Sequence, residues 1–368
     1  MNPHTWLLWS DKRGDNGQVE TIIEALPWPV EYKYLQMKPE WVLGKPAYRP
    51  SLEHLDLGQS DKLEAPWPDL IITIGRRPSM AALWVRQQSG NKTKVVLVGK
   101  PSGHMLDFSL VVASAENQMP PLHNFLPTTL PLMRIQSQDV QAEAEIWKER
   151  FEPLNKPLIA FLIGGETNPF VMNRSVAREL VATASGVVDE LGGTPYITTS
   201  RRTTPEVLEV LRKDLPKEAV YFEWSADAKE NPYRALLGSA DGFMVTADSV
   251  SMMVEVIYLR KPLAIFPLPG GPLGSLDQMR RSLAHWLFNP VLKSARDRLR
   301  HRVARGVFYI DYFKVLSATR DFRAFHRLLV DKGLAVWAGQ PFSQPQGDLP
   351  DDVGAVVERI ESLFQAAD

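Results

Sequence analysis

The sequence predicts an α/β protein: two Rossmann-like, doubly wound domains facing each other across a cleft, followed by a helical C-terminal region. Three observations predict it. Short runs that are apolar on both faces alternate with helix-like segments, as in a parallel sheet covered on both sides. The alternation breaks in a proline-rich stretch near the middle of the chain and then restarts. Finally, 368 residues exceed what one hydrophobic core usually serves.

In order, TWLLWS (residues 5–10) is a buried strand, DKRGDNG a polar loop and VETIIEAL a helix. PVEYKYL reads as a second strand, and a Pro- and Trp-rich connection leads to DLIITIG (69–75), a strand without polar alternation. Pro78 suits the first turn of the helix MAALWVRQQ. KVVLVG and FSLVVAS are further buried strands. Prolines 120, 121, 127 and 131 then interrupt the pattern ahead of the charged segment EAEIWKERFE, read as a linker. PLIAFLIGG restarts it. The helix that follows carries Val176, Leu180, Ala184, Val187 and Leu191 on one face. TPYITTS, AVYFEW, GFMVT and PLAIFP read as strands, with helices through TPEVLEVLRKD, NPYRALLGSA and the segment after Ser249. The expected boundaries are 1–135 for the N-terminal domain, 136–156 for the linker, 157–285 for the second domain and 286–368 for the helical extension, whose last helix can pack back on the first domain.

Composition removes several classes of function. There are no cysteines, which excludes disulfides and thiolate chemistry. A net charge of -1 argues against general nucleic-acid binding. No stretch approaches the ~20 apolar residues that span a bilayer, and the N-terminus reads as no signal peptide. A cytoplasmic protein is expected, with peripheral contact at the cytoplasmic face of the inner membrane left open.

In open α/β sheets ligands bind beyond the carboxyl ends of the strands, and four loops there carry polar residues. SDKRGDNGQ holds Asp11, Gly14, Asp15, Asn16, Gly17 and Gln18; its glycine amides suit a phosphate or sugar hydroxyl, and the alternative is a solvated turn. It is neither GxGxxG nor a Walker loop. In LIGGETNPF, Gly164 and Gly165 allow close backbone approach while Thr167 and Asn168 supply polar groups, unless this is a plain turn before a helix capped by Asn173. In ITTSRRTTPE, Arg201 and Arg202 follow Ser200 after a strand end, where guanidinium forks match diphosphate oxygens. In VTADSVSMMVE, Asp248 ends the loop, Ser249 can cap the helix, and Ser251 and Glu255 share a helix face. Glu255 is odd among apolar neighbours: it meets either ribose hydroxyls or a salt bridge to Arg260 or Lys261.

Taken in order, these second-half motifs resemble the nucleotide-sugar-binding domain of GT-B glycosyltransferases, from Pro157 to about Pro269 and on into GGPLGSLDQ. Over nearly the whole chain, SDKRGDNGQ, LIGGE, TTSRRT, VTADSVSMMVE and SATRDFRAFHRLLVDKGLA resemble the elongated-mitochondria fission family, whose architecture is GT-B-like. One departure is an extra threonine before the proline of TTSRRTTPE. The resemblance implies that Glu255 contacts ribose and that Arg201 or Arg202 contacts phosphate. Gly164, Gly165, Asp248, Ser249 and Ser251 would line the donor site, with Asp277 and Gln278 toward the sugar. It also implies a base from the N-terminal domain, Asp15 or in reserve Asp11, and no metal or other cofactor. The activity it implies is transfer from a nucleoside-diphosphate sugar, of UDP type, to a cell-envelope glycan or lipid. A sugar-nucleotide epimerase or hydrolase and a silent membrane-associated scaffold are the alternatives.

One motif stands apart. RRSLAHWLFNPVLKSARDRLRHRVARG carries Arg280, Arg281, Lys293, Arg296, Arg298, Arg300, Arg302 and Arg305 against Asp297 alone. Leu292, Ala295, Leu299 and Val303 form its apolar stripe. A helix packed on the second domain by that stripe is the favoured reading, and attraction to anionic lipid headgroups is the other. His285, His301 and His326 read as surface or packing residues, while His104 has a position from which it could reach the cleft.

Overall fold

The computed structural model describes residues 2–9, 13–42, 46–117, 119, 122–133, 135–271, 274–288, 293–310 and 320–365, with the backbone alone at 13–16, 42, 274–278 and 308–310. The chain forms two compact units. Met1–Arg134, Trp286–Thr319 and Pro350–Asp368 make the first; Ile135–His285 and Arg320–Leu349 make the second.

The first unit is built on a parallel sheet of β1 (Thr5–Trp9), β2 (Glu31–Tyr34), β3 (Leu70–Ile74), β4 (Lys94–Val98), β5 (Leu110–Ser114) and β6 (Phe125–Thr128). Its strand order is β2-β1-β3-β4-β5-β6. Alternate side chains of β1, β3, β4 and β5 enter different cores. Trp6, Leu8, Ile71, Val95, Leu97 and Val111 join one cluster with Ala81, Ala82 and Val85 of α3 (Arg76–Gln88). Leu7, Leu70, Ile72, Val96, Val98 and Val112 join another with Val19 and Ile22 of α1 (Arg13–Ala25) and Val356 and Ile360 of α12 (Asp352–Ser362). A strand that buries both faces needs apolar residues at every position, so these strands lack alternation. The terminal helix α12 is also tied to this unit through Asp352, whose Oδ2 accepts from the amides of Thr129 at 2.9 Å and Leu130 at 3.0 Å.

The second unit holds β7 (Leu158–Leu162), β8 (Thr194–Thr198), β9 (Val220–Phe222), β10 (Gly242–Thr246), β11 (Leu263–Phe266) and β12 (Val336–Trp337), all parallel. Their order, β12-β11-β10-β7-β8-β9, is the Rossmann order 6-5-4-1-2-3. The topology reverses between β7 and β10. The helix α5 (Arg174–Leu191) starts at Asn173, whose Oδ1 accepts from Ser175 N and Val176 N. Four of the five residues expected on its apolar face are buried; Leu191, in the last turn, is exposed.

Several expectations are corrected. The stretch 136–156 holds α4 (Ser137–Phe151), which packs on α7 (Tyr233–Ser239) and buries Val140, Trp147 and Phe151, so it is part of the second unit rather than a linker. Residues 286–368 are no single extension. Arg320–Leu349 supplies the second unit with α11 (Phe322–Asp331) and the sixth strand, while the flanking pieces belong to the first unit. The loop after β1 is shorter than expected: α1 begins at Arg13, so Gly14, Asp15, Asn16, Gly17 and Gln18 are helical. Helix α10 (Ala295–Ile310) does not pack through Leu299 and Val303, which are 61% and 49% exposed; His301 and Ala304 are buried instead. Leu292 lies outside the described residues. Among the described residues no helix is long and apolar enough to cross a membrane.

Candidate functional site

Three loops of the second unit meet where its sheet changes direction. One follows β7, one follows β8, and one leads from β10 into α8 (Val250–Tyr258). The paired registers of Leu162 with Val245 and of Leu162 with Thr198 bring the three strand ends level.

Asp248 ties the loops together. Its carboxylate is fully buried. Oδ2 accepts from the Gly165 amide at 3.0 Å, from Arg202 Nη2 at 3.0 Å and from the Ser249 hydroxyl at 3.2 Å. Oδ1 accepts from the Thr246 hydroxyl at 2.7 Å, and Thr246 Oγ1 accepts in turn from the Gly164 amide at 2.8 Å. A buried carboxylate is tolerable only when its lone pairs are met, and here they are met from all three loops.

Both glycines are required by this closeness. A Cβ on Gly164 would lie 2.2 Å from Asp248 Oδ2 and from Ser249 Oγ. A Cβ on Gly165 would lie 2.0 Å from the carbonyl oxygen of Arg202. The post-β8 loop is bound to the same point: Ser200 Oγ and Thr203 Oγ1 donate to the Gly164 carbonyl at 2.9 and 2.6 Å. Thr203, in the segment that departs from the family pattern, is therefore a structural member of the site.

The two arginines have different positions. Arg202 is engaged by Asp248 and by the Thr167 hydroxyl. Arg201 is exposed, with no hydrogen bond or ion pair among the described residues. Asn168 and Ser251 are exposed as well. Ser249 occupies the cap position of α8, yet its hydroxyl turns to Asp248, and among the described residues no side chain caps the first-turn amides. Those amides follow β10 and Arg201 follows β8, the strands on either side of β7; a helix N-terminus and a guanidinium are each groups that suit a phosphate.

Glu255 makes neither of the salt bridges weighed above. Arg260 donates to the carbonyls of Gly347 and Pro345, and Lys261 to those of Gly238 and Ala240. The partner is Tyr233 of α7, whose hydroxyl donates to Glu255 Oε2 at 2.5 Å. Burial raises the Glu255 carboxyl above its usual range, against the opposing pull of the Tyr233 hydroxyl and the Arg234 charge. Burial, and then the Glu255 charge, push the Tyr233 phenol well above its ordinary value, so it stays a donor.

Beneath the loop lies His326 of α11, 1% exposed, stacked on Phe170 and edge-on to Trp337. Its Nε2 is buried without a partner among the described residues, and its ring bonds to the backbone of Ala247. The Ala247 amide already donates to Phe266, so Nδ1–H donates to the Ala247 carbonyl, next to Asp248. Desolvation lowers the imidazole to about 4.

The structure thus brings together Gly164, Gly165, Thr167, Ser200, Arg202, Asp248 and Ser249 by direct bonds. Sequence reasoning missed Thr203, Thr246 and Tyr233; His326 is a packing residue, as expected. Of the other expected positions, Asp11 and the side chains of Asp15, Asn16, Asp277 and Gln278 lie outside the described residues. Gly17 sits inside α1, where its carbonyl accepts from Thr21, and Gln18 is half-buried on the same helix. In the first unit, His104 Nδ1 is 2.7 Å from Asp107 Oδ2.

The sequence pattern of the family described as mitochondrial fission ELM1 matches residues 13–286. The mitochondrial fission protein ELM1 of Arabidopsis thaliana is 26% identical over 220 residues, 54% of this chain and 51% of that protein. The chain thus matches about half the length of that relative. Uncharacterized protein RP120 of Rickettsia prowazekii (strain Madrid E) is 24% identical over 303 residues, 72% of this chain and 83% of that protein. Among solved structures, the UDP-GlcNAc 2-epimerase of Methanocaldococcus jannaschii superposes with a TM-score of 0.50 at 12% identity, covering 98% of this chain and 99% of the other. A glycosyltransferase from Rickettsia africae ESF-5 gives 0.49 at 11% identity, with both chains fully covered. The fold is that of GT-B proteins, and the chain belongs to the mitochondrial fission ELM1 family.

Proposed function

We propose that this chain binds a nucleoside-diphosphate sugar, of UDP type, at the β7/β10 switch point of its second unit and transfers the sugar to a cell-envelope glycan or lipid. The observation that carries the reading is that the loops after β7, β8 and β10 are tied together at Asp248. An exposed Arg201 that has no bond among the described residues lies on one of them, the N-terminus of α8 on another and two close-packed glycines on the third. Diphosphate oxygens would take Arg201 and the α8 amides. Glu255, one turn beyond Ser251, would exchange its Tyr233 bond for ribose hydroxyls, or share itself between them.

In the proposed reaction the acceptor oxygen bonds the anomeric carbon as the bond from that carbon to the diphosphate breaks. The acceptor proton passes to a carboxylate, for which Asp15 is proposed and Asp11 held in reserve. The nucleoside diphosphate leaves with its added negative charge stabilised by Arg201 and the α8 N-terminus. Asn168 is proposed with Thr167 at the donor nucleotide, and Asp277 and Gln278 on the sugar side, with Gly14, Asn16, Gly17 and Gln18 toward the acceptor.

A second reading is supported by the archaeal epimerase, whose name specifies UDP-GlcNAc: the same donor site would serve epimerisation without an acceptor. Thermal shift with UDP, GDP, CMP, ADP and their sugars tests the common premise. A ligand at ~100 times its Kd stabilises by about 2.7 kcal/mol, and no shift with any of them removes the donor site. Transfer and epimerisation then separate by whether the bound sugar is released as an altered nucleotide sugar without acceptor.

A further inference from the structure

The helix α10 hides one face and leaves the other bare. Asp297 and Arg300 pair at 3.3 Å, and His301 and Ala304 are buried on the same side. The exposed side carries Leu299 and Val303, 61% and 49% exposed, ringed by Arg296, Arg298, Arg302 and Arg305. None of these four guanidinium groups has an ion pair or hydrogen bond among the described residues, and the one acid of the helix is already engaged by Arg300 and by Ser294. The preceding helix α9 (Gly274–Phe288) is built alike. Ala284, Leu287 and Phe288 are buried, while Met279, Leu283 and Trp286, spaced four and three apart, are 66%, 49% and 58% exposed.

Exposed leucine and valine inside a ring of unpaired guanidinium groups are costly in water and suited to one environment. The apolar tips enter the boundary between headgroups and acyl chains, and the arginines bind lipid phosphates around them. A second copy of the chain would bring like charges together on this face. A nucleic acid would use the arginines and leave Leu299 and Val303 without a partner. We propose that the exposed face of α10 is a docking surface for an anionic lipid bilayer, an inference independent of the nucleotide-sugar reading.

Flotation of the full chain with phosphatidylglycerol–phosphatidylcholine vesicles tests it, against phosphatidylcholine alone. Binding is expected to the anionic vesicles only and to fall as salt is raised, because surface charge is screened. The double variants Leu299→Ser/Val303→Ser and Arg298→Glu/Arg302→Glu alter exposed side chains only. Each should keep the wild-type Tm and lower vesicle binding at least about tenfold. Equal binding to neutral vesicles, or wild-type binding by both variants, overturns the proposal. So does a lipid-free dimer that the Leu299→Ser/Val303→Ser variant abolishes.

Discussion

Arg202, on the loop after β8, holds its Nη2 3.0 Å from Oδ2 of Asp248, at the end of β10. The bond spans both sides of β7 and joins a guanidinium that is 42% exposed to a carboxylate that is fully buried. A side chain committed in this way holds the loop for its neighbour, and that neighbour is Arg201.

The two adjacent arginines should therefore fail differently. Arg201→Ala should leave the melting temperature within error and weaken nucleoside-diphosphate binding about ten- to a hundredfold, the loss of a charged hydrogen bond. Arg202→Ala should lower stability by about 1–2 kcal/mol, less than for a fully buried pair because its guanidinium is half in solvent. Denaturant melts and calorimetric titration of both variants check this; reversed phenotypes would make Arg202 the phosphate ligand.

Two glycines offer a paired test. Gly165→Ala places a methyl 2.0 Å from the Arg202 carbonyl oxygen, a backbone atom that moves only with its loop. A loss of about 1–3 kcal/mol and of ligand binding is expected. Gly17→Ala, inside α1 with nothing within 4 Å of the new methyl, should stabilise by about 0.5–1 kcal/mol through helix propensity. Urea midpoints of the two variants should move in opposite directions.

Glu255→Gln separates binding from folding. The raised carboxyl means that the folded chain holds this proton more tightly than the unfolded chain. Glu255 therefore favours folding below 4.5, and that contribution is lost as pH rises through its elevated folded value. The amide keeps an acceptor for Tyr233 and carries no charge to desolvate. At pH 8 the variant should be at least as stable as wild type, while nucleotide binding falls about tenfold or more. A variant that chiefly unfolds would mean that the carboxylate serves the fold.

The loops that compose the site were legible because position after a strand end is a strong signal in a parallel sheet, and glycine, arginine and aspartate there stand out. What was not legible came from elsewhere in the chain. Tyr233 reaches Glu255 from a helix 22 residues earlier, and nothing in NPYRALL marks its hydroxyl. The edge strand β6, FLPT, contains a proline and was read as connection; an edge tolerates a missing donor where an interior strand does not. β12 is two residues long, too short for any periodicity. The stripe of α10 had the right spacing, but spacing cannot tell a face that packs from one left bare.

His326 supplies a pH test of the support beneath the site. Its imidazole sits at about 4 in the folded chain, against an ordinary 6.5, because burial between Phe170 and Trp337 outweighs the Ala247 bond and the Asp321 charge; Arg323 and Arg327 add to the lowering. With the folded value depressed, the unfolded chain binds the extra proton first. The stability contributed by the neutral ring is complete above 6.5 and is lost progressively as pH falls toward 4, up to about 3 kcal/mol. His326→Phe keeps a ring for Phe170 and removes both the titration and the Nδ1–H bond to the Ala247 carbonyl. At pH 7.5 it should be about 1 kcal/mol less stable than wild type and bind nucleotide more weakly, since Ala247 adjoins Asp248. Between pH 6.5 and 4 its stability should fall less steeply than wild type, so that the two curves converge or cross. Parallel curves through that window would show that the ring titrates no differently folded than unfolded.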